Sequence, residues 1–158
     1  MKVEYIQPFV SAVFTVLETV AGCKCERGAL ALRNTTFTTR QVTIMAGVNG
    51  DLEGAAMYGM SMITAQKIAS GMMGSPIQQF DEMAMSAVSE LGNMITGNAT
   101  TQLSERGYHV DITPPSVIKG ANVELSTKTP ALVVPISSDY GMVEINVALA
   151  ETALRKAA

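Results

Sequence analysis

Apolar residues recur at spacings of three and four near the start of the chain, which predicts a helix over Gln7–Ala21. Pro8 suits the first turn of this helix, because its missing N–H would have no partner there. Shorter apolar runs follow, and we expect strands over residues 25–33, 41–48 and 52–60. The last two strands are separated by Asn49-Gly50, which is typical of a tight hairpin turn with positive φ at both residues.

Two further helices are predicted in the middle of the chain. The first covers Ser61–Met73, with Ser61 as a candidate N-cap, and ends at Gly74-Ser75-Pro76. The second is long, covers Phe80–Arg106 and ends at Gly107, because glycine favours the left-handed conformation that follows many helices.

The last part of the chain alternates between turns and apolar runs. Pro114-Pro115 indicates an irregular crossing, and strands are expected over residues 123–126, 131–137 and 142–150. Pro135 inside one of them favours a sheet edge or a bulge. The whole pattern predicts an α+β fold, in which an antiparallel sheet of about five to six strands carries a layer of three helices. We expect one domain over residues 1–158. A helix followed by strands occurs twice, but the halves are too dissimilar in sequence to predict a duplication.

The long helix has an unusual polar face. At about 100° per residue, Val88, Leu91 and Ile95 fall together and form its core side. The opposite side carries Ser86, Glu90, Asn93, Gly97, Thr101 and Ser104. A solvated helix face normally carries Lys, Arg and Glu in pairs four residues apart, and these small polar residues do not follow that pattern.

Glu90 and Asn93 lie three residues apart on this face, so their side chains are neighbours. A carboxylate can pair with a cation. A carboxamide donates and accepts hydrogen bonds but takes up no proton at neutral pH, so Asn93 could hold a water in line without acting as a base. Gly97 would let another molecule approach closely. The alternative is a polar helix face without a role, because Glu-x-x-Asn is a common string.

Composition narrows the chemistry that is available. The 158 residues include one His, two Cys and eleven Met, and the net charge is −3. A metal site with two or three His cannot form within one chain, and a Ser-His or Cys-His nucleophile would have to use His109. We interpret His109 as structural or exposed, and Cys23 and Cys25 as reduced structural thiols.

Partners and compartment are constrained by charge and hydropathy. No cluster of basic residues occurs, which disfavours nucleic-acid binding. No signal peptide and no membrane-spanning apolar run are recognised, so no membrane partner and a cytoplasmic location are expected.

Residues 81–99 closely resemble the signature of the CheC/CheX/FliY phosphatases. That signature is an Asp or Ser, three residues, Glu, two residues, Asn, and a downstream Pro, and Ser86, Glu90 and Asn93 match its first three elements. Pro115 comes one residue earlier than the expected spacing and Pro114 two, so the motif proline is not assigned between them.

The resemblance extends over most of the chain and is nearest to CheX. Residues 4–9 and 16–19 are similar to the amino-terminal helix of that family, and residues 54–61 and 69–74 to the segment before its active helix. CheC has a Glu-x-x-Asn site in each half. Here Glu18-Thr19-Val20-Ala21 lacks the Asn, so one site per chain is expected.

The resemblance implies hydrolysis of the aspartyl phosphate on a CheY-type response regulator. Glu90 would pair with a lysine of the regulator, and Asn93 would orient the attacking water. The Mg²⁺ would be bound by the regulator, so the chain would need no cofactor of its own. Ser86, Met83, Met94 and Gly97 are candidate partner contacts, and a homodimer formed by sheet pairing is expected.

Two other functions are kept as alternatives. The first is a non-enzymatic module of the same fold that binds or sequesters a phosphorylated response regulator or joins a flagellar switch complex. The second is an unrelated small α+β oligomer in which the polar helix face is accidental.

Overall fold

The computed structural model describes residues 2–153 and residue 155. Its helices are α1 (Gln7–Ala21), α2 (Met62–Met73) and α3 (Glu82–Glu105), preceded by a 3₁₀ turn at Val3–Tyr5. All three predicted helices are confirmed. The N-caps of α2 and α3 are Ser61 and Asp81, whose side-chain oxygens accept hydrogen bonds from the backbone N–H groups of the first helical turn. No helix in the described part of the chain is both long and apolar enough to cross a bilayer.

The described residues form ten strands in two sheets. They are β1 (Cys25–Arg27), β2 (Ala31–Arg33), β3 (Thr36–Thr38), β4 (Val42–Gly50), β5 (Leu52–Met60), β6 (Val110–Ile112), β7 (Ser116–Lys119), β8 (Glu124–Ser126), β9 (Ala131–Ser138) and β10 (Gly141–Glu151). Eight form an antiparallel sheet in the order β1-β9-β10-β5-β4-β6, with β2 also beside β9 and β7 beside β4. The sheet is therefore six positions wide, as predicted, but contains more strands than expected. β3 and β8 pair separately.

The strand predicted over residues 25–33 is split into β1 and β2. Arg27 pairs with Ile136 and Ala31 with Val133, so three residues of this edge lie opposite two of β9. Pro135 is one of those two, and its carbonyl oxygen accepts a hydrogen bond of 2.7 Å from the Gly28 N–H. Of the edge or bulge expected at Pro135, the structure has a bulge, but it lies in the neighbouring edge between β1 and β2, while β9 runs unbroken through Pro135 in the interior of the sheet.

A matching interruption separates β6 from β7, and neither of these strands was predicted. Ile112 pairs with Val48 and Ser116 with Met45, so residues 113–115 lie opposite two residues of β4. The crossing expected at Pro114-Pro115 is therefore a bulge along one sheet edge. β6 and β7 have three and four residues, too few for their alternation to be recognised.

The hairpin between β4 and β5 is confirmed, but the predicted conformation of its turn is wrong. Gly50 has φ of 126°, whereas Asn49 is not among the residues with positive φ. Asn49 stays extended because the end of β4 also pairs with β6, where Asn49 lies opposite Asp111.

The three helices pack on the sheet through one continuous core. The predicted core side of α3 is confirmed, since Val88, Leu91 and Ile95 are all buried. Gly92 faces Ile44 of β4 so closely that an added Cβ would collide with the isoleucine side chain. The buried Thr96 hydroxyl donates to Gly92 O and accepts from the Tyr58 hydroxyl, both at 2.7 Å. These contacts hold the middle of α3 close to the sheet.

Candidate active site

The outer face of α3 presents the predicted polar residues to solvent. Ser86, Glu90 and Asn93 are exposed, as are Thr101 and Ser104 further along the helix. Their common direction follows from the helical repeat, because the opposite face is fixed against the sheet. The structure therefore brings the candidate site residues together on one rigid element.

The other candidate contact residues differ in exposure. Met83 is 60% exposed at the start of the face, whereas Met94 is half-buried and packs against the core. Gly97 is half-buried, and a Cβ added there would meet no atom within 4 Å. Met83 and Gly97 thus leave room for another molecule, while Met94 contributes mainly to packing.

Two clefts flank α3 and share Glu90. One, of about 520 Å³, lies between the helix and β7 and is lined by Glu82, Met85, Ser86, Ser89, Glu90 and Val117. The other, of about 330 Å³, is lined by Ser89, Glu90, Asn93, Ile112, Thr113, Pro114 and Pro115. Asn93 therefore lies in a cleft whose far wall is the bulge between β6 and β7.

Ser89 lines both clefts and was not recognised from the sequence. A helical wheel gives directions around α3 but does not show which strand lies beside it. Pro114 and Pro115 both line the second cleft, the first exposed and the second half-buried, so either can serve as the motif proline.

The side chains of Glu90 and Asn93 have no hydrogen-bond or ion-pair partner among residues 2–153 and 155. A neighbouring amide shows the contrast, because Asn98 Oδ1 accepts a hydrogen bond of 2.8 Å from Gln102 Nε2. One carboxylate and one carboxamide are thus free to bind groups from outside the chain.

The groups needed for other kinds of hydrolysis lie elsewhere. His109 Nδ1 is 3.3 Å from Ser104 Oγ, beyond the end of α3. Burial raises the pKa of the Cys25 thiol to about 12, so it is not a thiolate at neutral pH, and Cys23 is buried. In the described part of the chain no cluster of His, Cys, Asp or Glu suits a metal ion. The α3 face can therefore orient a water and pair with a cation, and among the described residues it carries no thiolate, no histidine and no cluster of metal ligands.

Comparison with known proteins assigns the family. Residues 42–137, which include all of α3 and the bulge, match the family described as chemotaxis phosphatase CheX. The CheY-P phosphatase CheX of Thermotoga maritima is 33% identical over 138 residues, which cover 87% of this chain and 89% of that protein. The chain belongs to the CheX family.

Solved structures agree with this assignment. The CheX–CheY–BeF₃–Mg²⁺ complex from Borrelia burgdorferi contains a chain 31% identical to this one, with a TM-score of 0.79 and coverage of 95% of this chain and 100% of that one. A CheC-like superfamily protein from Shewanella sp. PV-4 is 29% identical, with a TM-score of 0.86 and coverage of 95% and 99%. The predicted CheC/CheX-like α+β fold is confirmed.

Proposed function

We propose that this CheX-family chain hydrolyses the aspartyl phosphate of a CheY-type response regulator. The observation that carries the proposal is the pair of exposed, unpartnered side chains of Glu90 and Asn93 in the α3 clefts. The relative in Thermotoga maritima is named a CheY-P phosphatase, which supports the same reaction here.

Glu90 and Asn93 each have one proposed role. Glu90 pairs with a lysine beside the phosphoryl group of the regulator and fixes the orientation of the complex. Asn93 enters the regulator's active site and orients the attacking water through its amide. Phosphoryl transfer depends mostly on positioning and charge stabilisation, so an amide without basic character suffices.

The remaining components belong to the regulator. The phosphoryl group, the lysine and the Mg²⁺ would all come from the partner, and this chain needs no cofactor of its own. The Borrelia burgdorferi complex contains CheY, BeF₃ and Mg²⁺ together with CheX, which is consistent with this arrangement.

The surrounding residues form the proposed contact surface. Ser86 lies in the first cleft one helical turn before Glu90, and Met83 extends the surface as an exposed apolar side chain. Gly97 lets the regulator approach the helix backbone beyond Asn93. Met94 supports the surface from its half-buried position.

The further proposals are a single CheX-type domain over residues 1–158, a cytoplasmic location and a homodimer. Both sheet edges are short, interrupted strands, and Leu32 on β2 is 70% exposed. The support for the dimer is this exposed apolar side chain, which contact with a second copy would cover. Light scattering should give the mass of two chains, and the mass of one chain would contradict the dimer.

The alternative is a module that sequesters the phosphorylated regulator or joins a flagellar switch complex. Turnover distinguishes the two functions. A CheY-type regulator is phosphorylated, and phosphate release is followed with the regulator in tenfold excess over this protein. We expect many phosphates released per chain, faster than from the regulator alone. Release that stays at the regulator's own rate, or slows on binding, would reject the phosphatase and favour sequestration.

A further inference from the structure

Thr113 links the bulge beside Asn93 to the central sheet. Its Oγ1 accepts a hydrogen bond of 2.8 Å from the backbone N–H of Gly47 on β4. Its own N–H donates to the Gly47 carbonyl oxygen at 2.9 Å. Thr113 thus uses both its backbone and its side chain to hold the same residue of β4.

The next two residues cannot hold the bulge in this way. Pro114 and Pro115 have no N–H to donate to a neighbouring strand. The bulge also places three residues opposite two of β4, which leaves one without a partner and bends the strand. The wall of the Asn93 cleft is therefore fixed to the sheet through Thr113.

The fit between Thr113 and β4 depends on a glycine. A Cβ added to Gly47 would lie 3.0 Å from Thr113 Oγ1 and 3.2 Å from its Cγ2, so the threonine would have to move. The bulge thus approaches the sheet closely at this point, where residue 47 has no side chain and its N–H donates to the hydroxyl of Thr113.

We propose that Thr113 is a positioning residue, which holds Pro114 and Pro115 as a rigid wall against which the regulator docks beside Asn93. This inference rests on the proposed function. Glu90 and Asn93 are carried by α3, whose position is fixed by its own contacts with the sheet. Loss of the Thr113 hydroxyl should therefore weaken docking of the regulator and leave the chemical step nearly intact.

The first test compares Thr113→Val, which keeps the shape but lacks the hydroxyl, with Thr113→Ser, which keeps the hydroxyl. We expect Thr113→Val to raise the KM for the phosphorylated regulator about fivefold, as the loss of one hydrogen bond implies, with kcat within twofold. Thr113→Ser should restore the KM. Thr36→Val is the matched control, because it removes an exposed threonine hydroxyl bonded to Ser126 on the separate β3–β8 sheet. Its KM should equal that of the wild type.

Gly47→Ala gives an independent second variant. It should raise the KM by a similar factor, because the new Cβ displaces Thr113. For the double variant Gly47→Ala/Thr113→Val, the increase in KM should be smaller than the product of the two single-variant increases. The two substitutions act on the same contact, so their effects are not independent. Circular dichroism should show each variant to be folded, because Thr113 is exposed and Gly47 is half-buried.

Binding of the beryllofluoride-activated regulator separates this inference from the proposed function. If the wild type binds the beryllofluoride-activated regulator but does not hydrolyse the phosphorylated regulator, the proposed function fails, and a weaker Kd for Thr113→Val still supports the inference. If Thr113→Val shows wild-type KM and Kd while Asn93→Ala loses turnover, the inference is overturned and the proposed function stands. A decrease of kcat in Thr113→Val by the same factor as the increase of its KM would also overturn the inference.

Discussion

Helix α1 with β1 and β2, and helix α3 with β6 and β7, are matching parts of the molecule. Each helix precedes an edge strand interrupted by three residues that lie opposite two of its neighbour. A hairpin follows in each half, β4–β5 in the first and β9–β10 in the second. Counted inwards from either edge, the sheet has an interrupted edge strand followed by the first and second strands of the other half's hairpin. The chain is therefore duplicated in topology, although its halves are too dissimilar in sequence to show this.

The two helices differ where the site would be. Asn93 is exposed in the middle of α3, and the helix continues for about three more turns. The corresponding Ala21 is 7% exposed at the end of α1, and its carbonyl oxygen accepts a hydrogen bond of 2.8 Å from the Tyr140 hydroxyl. The first half thus retains an exposed glutamate, Glu18, without room for an amide.

The two edge bulges, residues 28–30 and 113–115, also differ in whether they pack inside the molecule or line a cleft. Gly28 packs directly on Pro135 and Leu30 packs against the core, so the first bulge is used for packing. Thr113, Pro114 and Pro115 instead line the cleft that contains Asn93. In the proposed function the same scaffold therefore carries a site in one half only, and the side chains rather than the topology decide which half.

The largest expected effect comes from the amide. Asn93→Ala should lower the rate of phosphate release about 100-fold, because the attacking water is no longer oriented. Adding Ala21→Asn to this variant should not restore activity, since a carboxamide at that buried position would lack partners. Phosphate release by folded protein measures both. Recovered activity would contradict the difference between the halves.

Asn98→Ala is the control for the loss of an amide on α3. Its side chain already accepts a hydrogen bond from Gln102, so it should retain at least half of the wild-type rate. A loss as large as that of Asn93→Ala would show that the assay detects damage to the helix rather than to the site.

The next effect concerns the contact between the halves. Arg33 and Arg40 of the first half donate to Glu144 of the second at 2.8 and 3.2 Å, and the Glu144 side chain is 8% exposed. Glu144→Gln should lower the free energy of unfolding at pH 7 by about 2 kcal/mol, as expected for hydrogen bonds between charged groups. Urea unfolding measures this change, and an unchanged midpoint would show that the contact does not stabilise the pair of halves.

The same contact predicts a pH dependence. Burial alone would raise the pKa of Glu144, but hydrogen bonds from Arg33, Asn146 and Arg40 and the charge of Arg33 outweigh it, so the pKa is lowered. A lowered pKa in the folded state gives stability that is present above the unfolded value and is lost as the pH falls through the folded value. Below about pH 4.5 the wild type should therefore lose stability more steeply than Glu144→Gln. Parallel curves would contradict this.

A smaller effect is expected for the two exposed glutamates. Glu90→Gln should raise the KM for the regulator about tenfold, because the pairing with the partner lysine is lost, and added salt should reduce the difference. Glu18→Gln is the matched control in the other half and should leave the KM unchanged. If Glu90→Gln and Glu18→Gln changed the KM equally, α3 would not differ from α1 in binding the regulator.

The smallest effect is on the stability of α3. Gly97→Ala should raise the free energy of unfolding by about 0.5–1 kcal/mol, since alanine favours a helix and no atom blocks its Cβ. It should also raise the KM if the regulator approaches there, and an unchanged KM would reject Gly97 as a contact. Gly92→Ala is the control with the opposite expected sign. Its Cβ would collide with Ile44, so the free energy of unfolding should fall by about 1–3 kcal/mol.

Helical periodicity and caps were enough to predict α1, α2 and α3 and the core side of α3 with Val88, Leu91 and Ile95. They also placed Glu90 and Asn93 on one exposed face. The short edge strands β6 and β7 were not predicted. They form because they pair with β4, and their own sequences carry no recognisable alternation. Pairing with β6 also keeps Asn49 extended, against its turn propensity. Ser89 and Thr113 were missed because their importance arises from which strand lies beside α3.

The number of regulator molecules bound per chain tests the asymmetry of the halves most directly. Titration calorimetry with the beryllofluoride-activated regulator should give one regulator per chain for the wild type. Glu90→Lys should abolish this binding, because like charges would meet at the docking point. Two regulators per chain, or one that persists at full affinity in Glu90→Lys, would contradict a single site on α3.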